Sequence, residues 1–367
     1  MLLRGGTPGA ASALALLLLA ACGSSDGSTS TSTSASAGTS STSSSAATPA
    51  ASGSVAAAAQ AFAATLSTDQ SSSLMQTYSL ANAEKWSNLP QTLLRGSQAR
   101  IGLQLSTLSS DQQKALATLL QTATSTATNE GWDEIQQLWN ADDYLSANGG
   151  GSDYGRGNYY IAFLGTPGDS GTWELQFGGH HLALANTYTA GALVGATPSF
   201  RGVEPFTTFT ENGTSNQPLQ QEQSAFAALL AGLSSDQQAT AKLSKTYSDL
   251  VLKPGADWQF PTTKEGIKGS DLSAEQKALV VAAMQTYVGD IDDADAATIM
   301  AKYTSELDDT YVAFSGTTAL TAQNDYIRID GPSVWIEFSM QHGIVLSGNH
   351  PHSVWRDRTT DYGGTKS

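Results

Sequence analysis

The sequence predicts an α+β protein, internally duplicated, whose two halves each combine helices with a small antiparallel sheet under approximate two-fold pseudo-symmetry. Three observations carry that expectation. The motif Leu-Ser-x-(Asp/Glu)-Gln occurs at Leu66–Gln70, Leu108–Gln112, Leu233–Gln237 and Leu272–Gln276, and the first and third copies are separated almost as the second and fourth are. Other segments recur in the same order. Trp86-Ser87-Asn88-Leu89-Pro90 is echoed by Trp258-Gln259-Phe260-Pro261, and Arg100-Ile101-Gly102 by Lys264-Glu265-Gly266. Finally, the β-branched and aromatic run Tyr160–Gly165 is matched by Tyr311–Gly316.

Each Leu-Ser motif reads as a helix start. Ser followed three residues later by Gln is a capping box, and the acid between them sits near the positive end of the helix. Helical apolar spacing follows in Ala115, Leu116, Leu119 and Leu120, and again in Ala278, Leu279, Val281 and Met284. Tyr160–Gly165 and Tyr311–Gly316 read as strands, each followed by a second strand, Trp173–Phe177 and Ser333–Phe338. In Trp173–Phe177 the apolar residues alternate with Glu174 and Gln176, which predicts one polar face. The halves are placed at residues 55–212 and 213–367, with a functional site expected at their junction.

The N-terminal part is of another kind. Met1–Arg4 is weakly basic and Ala11–Ala21 is a compact apolar run, about half of what a membrane-spanning helix needs. It reads as the core of a signal peptide spanning residues 1–22. The run ends in Leu19-Ala20-Ala21-Cys22, which resembles a bacterial lipobox and implies lipid attachment at Cys22. Gly23 follows rather than Asp, so the expectation is an outer-membrane or cell-surface lipoprotein facing the periplasm or the exterior. Residues 23–54, almost entirely Ser, Thr, Ala and Gly, bury too little apolar surface to offset their ordering entropy and read as a disordered tether.

Composition narrows the chemistry. The 367 residues suit roughly two domains. With 18 Lys+Arg against 33 Asp+Glu, the net charge of -15 argues against nucleic acid as a partner. One Cys excludes an internal disulfide framework and any multi-cysteine zinc or iron–sulfur site. No Walker loop, dinucleotide fingerprint, His-Glu-x-x-His or Gly-x-Ser-x-Gly elbow is present.

All five histidines fall in two places: His180 and His181, then His342, His350 and His352. Aligning Phe177 with Phe338 brings His181 onto His342, just after the same strand of each half. His350-x-His352 in an extended segment points both rings to one face, a common way for a strand to offer two metal ligands. His180-His181 splits between faces unless Gly178-Gly179 makes a bulge or turn. The sequence therefore predicts a metal site of His180, His181, His350 and His352, taking zinc, copper or iron. A metal-free polar pocket and purely structural histidines are the competing readings.

The segments Gly178-Gly179-His180-His181-Leu182 and Thr197-Pro198-Ser199-Phe200-Arg201-Gly202, and the tail His350-Pro351-His352-Ser353-Val354-Trp355-Arg356-Asp357 with Asp361-Tyr362-Gly363, resemble a bacterial family called domain of unknown function 3500. The resemblance covers the chain from about residue 55 and implies a secreted or lipoprotein family. It implies no established activity.

Supporting groups are proposed from their proximity in sequence. Asp357 or Asp361 would orient a ligating imidazole, with Asp357 favoured over Glu174. Arg356 would clamp a substrate carboxylate or phosphate, or simply pin the tail together with Asp357. Glu174 and Glu337 are candidate general bases, and Trp173, Trp335 and Trp355 a candidate pocket floor or core. Catalytic roles are thus assigned to Glu174, Arg356 and Asp357. Two functions stand side by side: a metal-dependent hydrolase of the cell envelope, and a non-catalytic lipoprotein binding a small ligand or metal ion.

Overall fold

The computed structural model describes residues 54–364. The predicted signal peptide, Cys22 and all of the tether but Ser54 lie outside the described residues. The helices before the sheet are α1 (Val55–Ala64), α2 (Thr68–Leu74), α3 (Leu80–Ala83), α4 (Ser110–Ala123) and α5 (Gly131–Leu145), with short strands β1 (Met75–Gln76) and β2 (Leu103–Gln104) between them. Then come β3 (Tyr160–Leu164), β4 (Thr172–Gly179), β5 (Leu182–Thr189), β6 (Ala192–Gly195) and β7 (Ser199–Gly202). A separate hairpin of β8 (Phe209–Glu211) and β9 (Thr214–Asn216) follows. The expected boundary at 212/213 falls at its tip, where Asn212 and Gly213 both take positive φ.

Helices α6 (Gln220–Ala231), α7 (Ser235–Ala241), α8 (Ala274–Val288) and α9 (Asp293–Ser305), with β10 (Ile267–Lys268) between α7 and α8, precede the last strands. These are β11 (Tyr311–Ser315), β12 (Tyr326–Asp330), β13 (Val334–His342) and β14 (Asn349–Asp357). None of these helices is long and apolar enough to cross a membrane, among the described residues.

All four Leu-Ser motifs start helices through capping boxes, and their glutamines do more than cap. In each, Gln Oε1 accepts from the N-cap backbone N–H, as Ser67 N to Gln70 at 3.0 Å and Ser273 N to Gln276 at 2.9 Å. The amides then interlock between motifs. Gln70 donates to Gln112 Oε1 (3.2 Å) and Gln112 to Gln70 Oε1 (2.9 Å), while Gln237 and Gln276 exchange the same pair at 3.0 and 2.7 Å. Each amide also reaches a backbone carbonyl of the opposite motif's approach, such as Gln112 to Thr65 O and Gln276 to Gly232 O, both at 2.9 Å. Only an amide both accepts and donates in this way, which explains Gln rather than Glu.

The strands form one 12-stranded sheet in the order β1-β3-β4-β5-β7-β14-β13-β12-β11-β10, with β2 and β6 paired off this path. Two small sheets were expected. They are continuous because β7 pairs antiparallel with β14, Gly202 facing His352 and Ser199 facing Trp355. Outward from this seam come β5 and β13, then β4 and β12, then β3 and β11. Beyond them Met75 bridges Phe163, and Lys242 bridges Phe314, both in parallel. Gly102 (φ +101°) and Gly266 (φ +103°) press equally close to the carbonyls of Ile161 and Val312, where a Cβ would lie 2.3 and 2.2 Å away.

This topology corrects the strand alignment. Phe177 in β4 faces Ile161, whereas Phe338 in β13 faces Ile327 one strand nearer the seam. The strand at β4's distance from the seam is β12, Tyr-Ile-Arg-Ile-Asp, in which Arg328 and Asp330 are buried. The face carrying Glu174 and Gln176 is polar, as expected, but buried rather than turned to solvent.

Both faces of the sheet are covered. In β3, Ile161 and Phe163 pack with Phe62, Leu116, Leu120 and Leu138 of the helices, while Ala162 and Leu164 pack with Trp86, Phe200, Val354 and Tyr362 on the other face. Phe226, Met284 and Tyr287 cover β13 and Trp355 on the helical side of the second half. Gln112→Glu and Gln276→Glu keep the N-cap acceptor and lose both amide donations. Each should lower unfolding free energy by about 1–3 kcal/mol in urea melts, by similar amounts. A loss in only one of them would break the equivalence of the two interlocks.

Candidate functional site

The seam positions the histidines. His350 and His352 lie two residues apart on β14 and share a face. Across the seam, Gly202 faces His352, and a Cβ there would sit 2.9 Å from Cδ2 of both His181 and His352. Glycine is required at that point because two imidazoles pass over its backbone. His181 arrives from the turn between β4 and β5, where its φ of 61° swings it over β7. Its N–H donates to Asn88 O (3.2 Å) and its carbonyl accepts from Gly202 N (2.8 Å). Tyr159 OH donates to His180 O at 2.6 Å, and a Cβ at Gly179 would strike the Tyr159 ring, so the turn is fixed from below.

Three Nε2 atoms converge. His352 Nε2 is 3.2 Å from Nε2 of His350 and 3.2 Å from Nε2 of His181, and the possible ligand atoms of all three lie within 4.8 Å of one another. Nitrogens about 2.0–2.1 Å from a shared ion, at tetrahedral to right-angle spacing, fall roughly 2.9–3.4 Å apart. The group can therefore hold a metal ion. All three rings are buried. Burial, then the neighbouring His180, His352 and His350, holds His181 well below the ordinary histidine range. Burial and His352 lower His350 to about 3, and burial lowers His352 against the opposing pull of Asp249. The rings are thus neutral near pH 7, the form that ligates metals.

His180, expected as a fourth ligand, is not in this group. It stacks on His181 with ring centroids 3.7 Å apart, and its Nδ1 lies 2.6 Å from Asp142 Oδ1. A ring laid flat on its neighbour cannot aim a nitrogen at the same point. Instead, with Nδ1 occupied by Asp142, it lines a cavity of about 580 Å³ that His181, His350 and His352 also line. Tyr154, Glu204, Asp249 and Trp86 contribute to the same wall. Asp249 Oδ1 is 3.8 Å from His352 Nδ1, an ion-pair distance rather than a hydrogen bond.

The other expected residues lie elsewhere. Asp357 is five residues from His352, and the odd offset turns it to the helical face, where it accepts from Tyr303 OH (2.8 Å) and from Thr359 and Thr360. Arg356 shares the histidines' face but sits four residues farther along β14. It is fully buried between Asp361 (2.7 Å) and Asp257 (2.9 Å), with its guanidinium over Trp86 and Tyr362. It pins the tail and has no open edge for a substrate. Asp361 belongs to that lock. Glu174 is buried in β4, accepting from Thr187 and Gln176 at 3.3 and 3.5 Å, and Glu337 accepts from Val251 and Leu252 N–H and from Tyr326 and Trp335. Trp173, Trp335 and Trp355 are core, and His342 is exposed at the end of β13.

Asp142, Tyr154, Glu204 and Asp249 were not foreseen. Asp142 had a legible signal: it follows Leu138 by four residues and precedes Leu145 by three, an inward position on an amphipathic helix. The other three lie outside the helices and strands, where no periodicity points inward.

A family model described as protein of unknown function (DUF3500) matches residues 48–364, and the chain belongs to that family. No curated protein and no solved structure matches it.

Burial pushes the Glu174 carboxyl up to about 7. Its folded value exceeds its unfolded one, so its contribution to stability is whole below about pH 4.5 and is lost as pH rises through about 7. Glu174→Gln should therefore gain stability over the natural chain between about pH 5 and pH 8, by on the order of 1–3 kcal/mol, with metal content unchanged. A variant that gained nothing and lost metal would return Glu174 to the site.

Proposed function

We propose that this DUF3500 protein is a metal-dependent hydrolase of the cell envelope, with His181, His350 and His352 as the ligands. The observation that carries this reading is the convergence of three buried, neutral Nε2 atoms on the wall of a cavity large enough for a small molecule. A three-nitrogen set is the catalytic pattern, since it leaves coordination open toward substrate. When bound, zinc, copper or iron there supplies Lewis acidity and activation of water. Asp142 fixes the His180 ring through Nδ1, and the ring lines the same cavity. Tyr154, whose ring meets His180 edge-on at 4.8 Å, closes that side.

One observation favours the second reading, a non-catalytic protein that binds a metal or small ligand. Among the described residues no carboxylate lies within hydrogen-bonding distance of His181, His350 or His352: Asp249 stands 3.8 Å from His352 Nδ1, and Asp357 and Glu174 are engaged elsewhere. The readings separate on turnover. We further propose that the two halves, 55–212 and 213–367, arose by internal duplication and are related by approximate two-fold symmetry about the β7–β14 seam. The interlocked glutamines, the paired glycines and the matching strand order support it.

Localisation belongs to the same proposal: a lipoprotein anchored through Cys22, held off the membrane by residues 23–54, facing the periplasm or exterior. Its substrate is a small molecule and not nucleic acid, in keeping with the net charge of -15.

Purified protein should retain roughly one transition-metal ion per chain by elemental analysis, in accord with a single three-histidine set. His352→Ala should reduce this by at least about ten-fold while leaving the circular dichroism spectrum unchanged. A metal-free natural chain that still hydrolyses esters would refute the metal reading. Cys22→Ser should move the protein from the membrane to the soluble fraction without changing its thermal midpoint. Retention in membranes would mean that another segment anchors it.

A further inference from the structure

Large apolar side chains are exposed at few points among the described residues, and three of them rim one cavity. Leu89, Leu93 (63 % exposed) and Ile344 (80 % exposed) all line the opening that leads to the histidines. They come from two separate segments, Leu89 and Leu93 at a short 3-10 turn and Ile344 from the loop between β13 and β14. The second is tied down, because Val345 and Leu346 N–H donate to Glu204 Oε1 at 3.0 and 2.6 Å, and Gly343 N–H donates to Gly348 O at 2.6 Å. Ile344 is therefore held out at the rim by a carboxylate that also belongs to the cavity wall. Pro90 and Pro254 extend the apolar surface. Inward, the wall turns polar, with Tyr154, Glu204, Asp249 and the histidines, and Lys253 is neutralised by Asp249 at 2.9 Å.

One end of this cavity thus solvates a metal-seeking polar group and the other an aliphatic chain. Its volume of about 580 Å³ lies within the range of small-molecule sites. We infer that the substrate is an amphipathic carbonyl compound, an ester or amide with an aliphatic chain, whose carbonyl meets the three-histidine site and whose chain lies over Leu89, Leu93 and Ile344. This rests on the metal reading above.

Alkyl hydroxamates test it, since they join a metal-binding head to a chain of chosen length. Acetohydroxamate through octanohydroxamate are titrated by calorimetry into the zinc-loaded full chain. Full burial of a methylene tightens binding roughly four-fold, so even partial burial should give at least about a 30-fold gain across the series. The double variant Leu93→Ser, Ile344→Ser, at two exposed positions, should flatten this gain while leaving acetohydroxamate affinity and zinc content unchanged. Equal affinities across the series in the natural chain, or an undiminished gain in the variant, would overturn the aliphatic-chain inference and leave the metal reading standing. Failure to hold zinc, with no hydroxamate binding at any length, would overturn both.

Discussion

The antiparallel pairing of β7 with β14 sets Gly202 opposite His352, and the candidate site is built over that one contact. Because the pairing joins strands more than a hundred residues apart in sequence, it fuses two sets of strands into a single sheet. It also decides which side chains can meet. Even offsets along β14 place His350, His352, Val354 and Arg356 on one face, and odd offsets send Ser353, Trp355 and Asp357 to the helices. The missing side chain at Gly202 opens the space into which His181 crosses from the neighbouring turn. A register slip of one residue would put the histidines into the helical core.

Burial then determines the chemistry of the cluster. Three imidazoles with nitrogens in near contact cannot all be protonated, and desolvation drives each toward the neutral base. Charge is not scarce nearby. Glu204 and Asp249 line the cavity and Asp142 stands behind His180, but each is engaged with another partner: the backbone of the 343–348 loop, Lys253 with Gln341, and His180. The polar groups of the wall are consequently fixed rather than free to collapse onto the rings. The same economy appears at the tail, where Arg356, Asp257, Asp361, Tyr362 and Trp86 form one buried lock behind the histidines.

Much of this was legible in sequence, and the rest was hidden for identifiable reasons. The capping boxes declare the helix starts because their chemistry is local, and the His-x-His spacing declares a shared face because strand periodicity is local too. What sequence spacing cannot supply is strand order. The Phe177–Phe338 alignment passed over β12, whose buried Arg328 and Asp330 pair with Glu265, Tyr247, Lys264 and Arg358 from loops and neighbouring segments. Asp357 was favoured for its nearness in sequence, yet one residue of parity places it across the sheet from the rings. Arg356 turned out to serve the tail because its partner Asp257 lies in a loop 99 residues away. The residues that do meet the site, Glu204 and Asp249 among them, sit in loops whose course depends on the finished sheet.

Three imidazoles from two distant segments of the chain lie where one ion could join them. X-ray absorption fine structure of the zinc-loaded protein tests it most directly, since it reads the atoms around the metal. The expected first shell contains three nitrogens at about 2.0–2.1 Å, with the outer-shell scattering of imidazole rings. A shell of oxygens alone, or one without imidazole scattering, would contradict it.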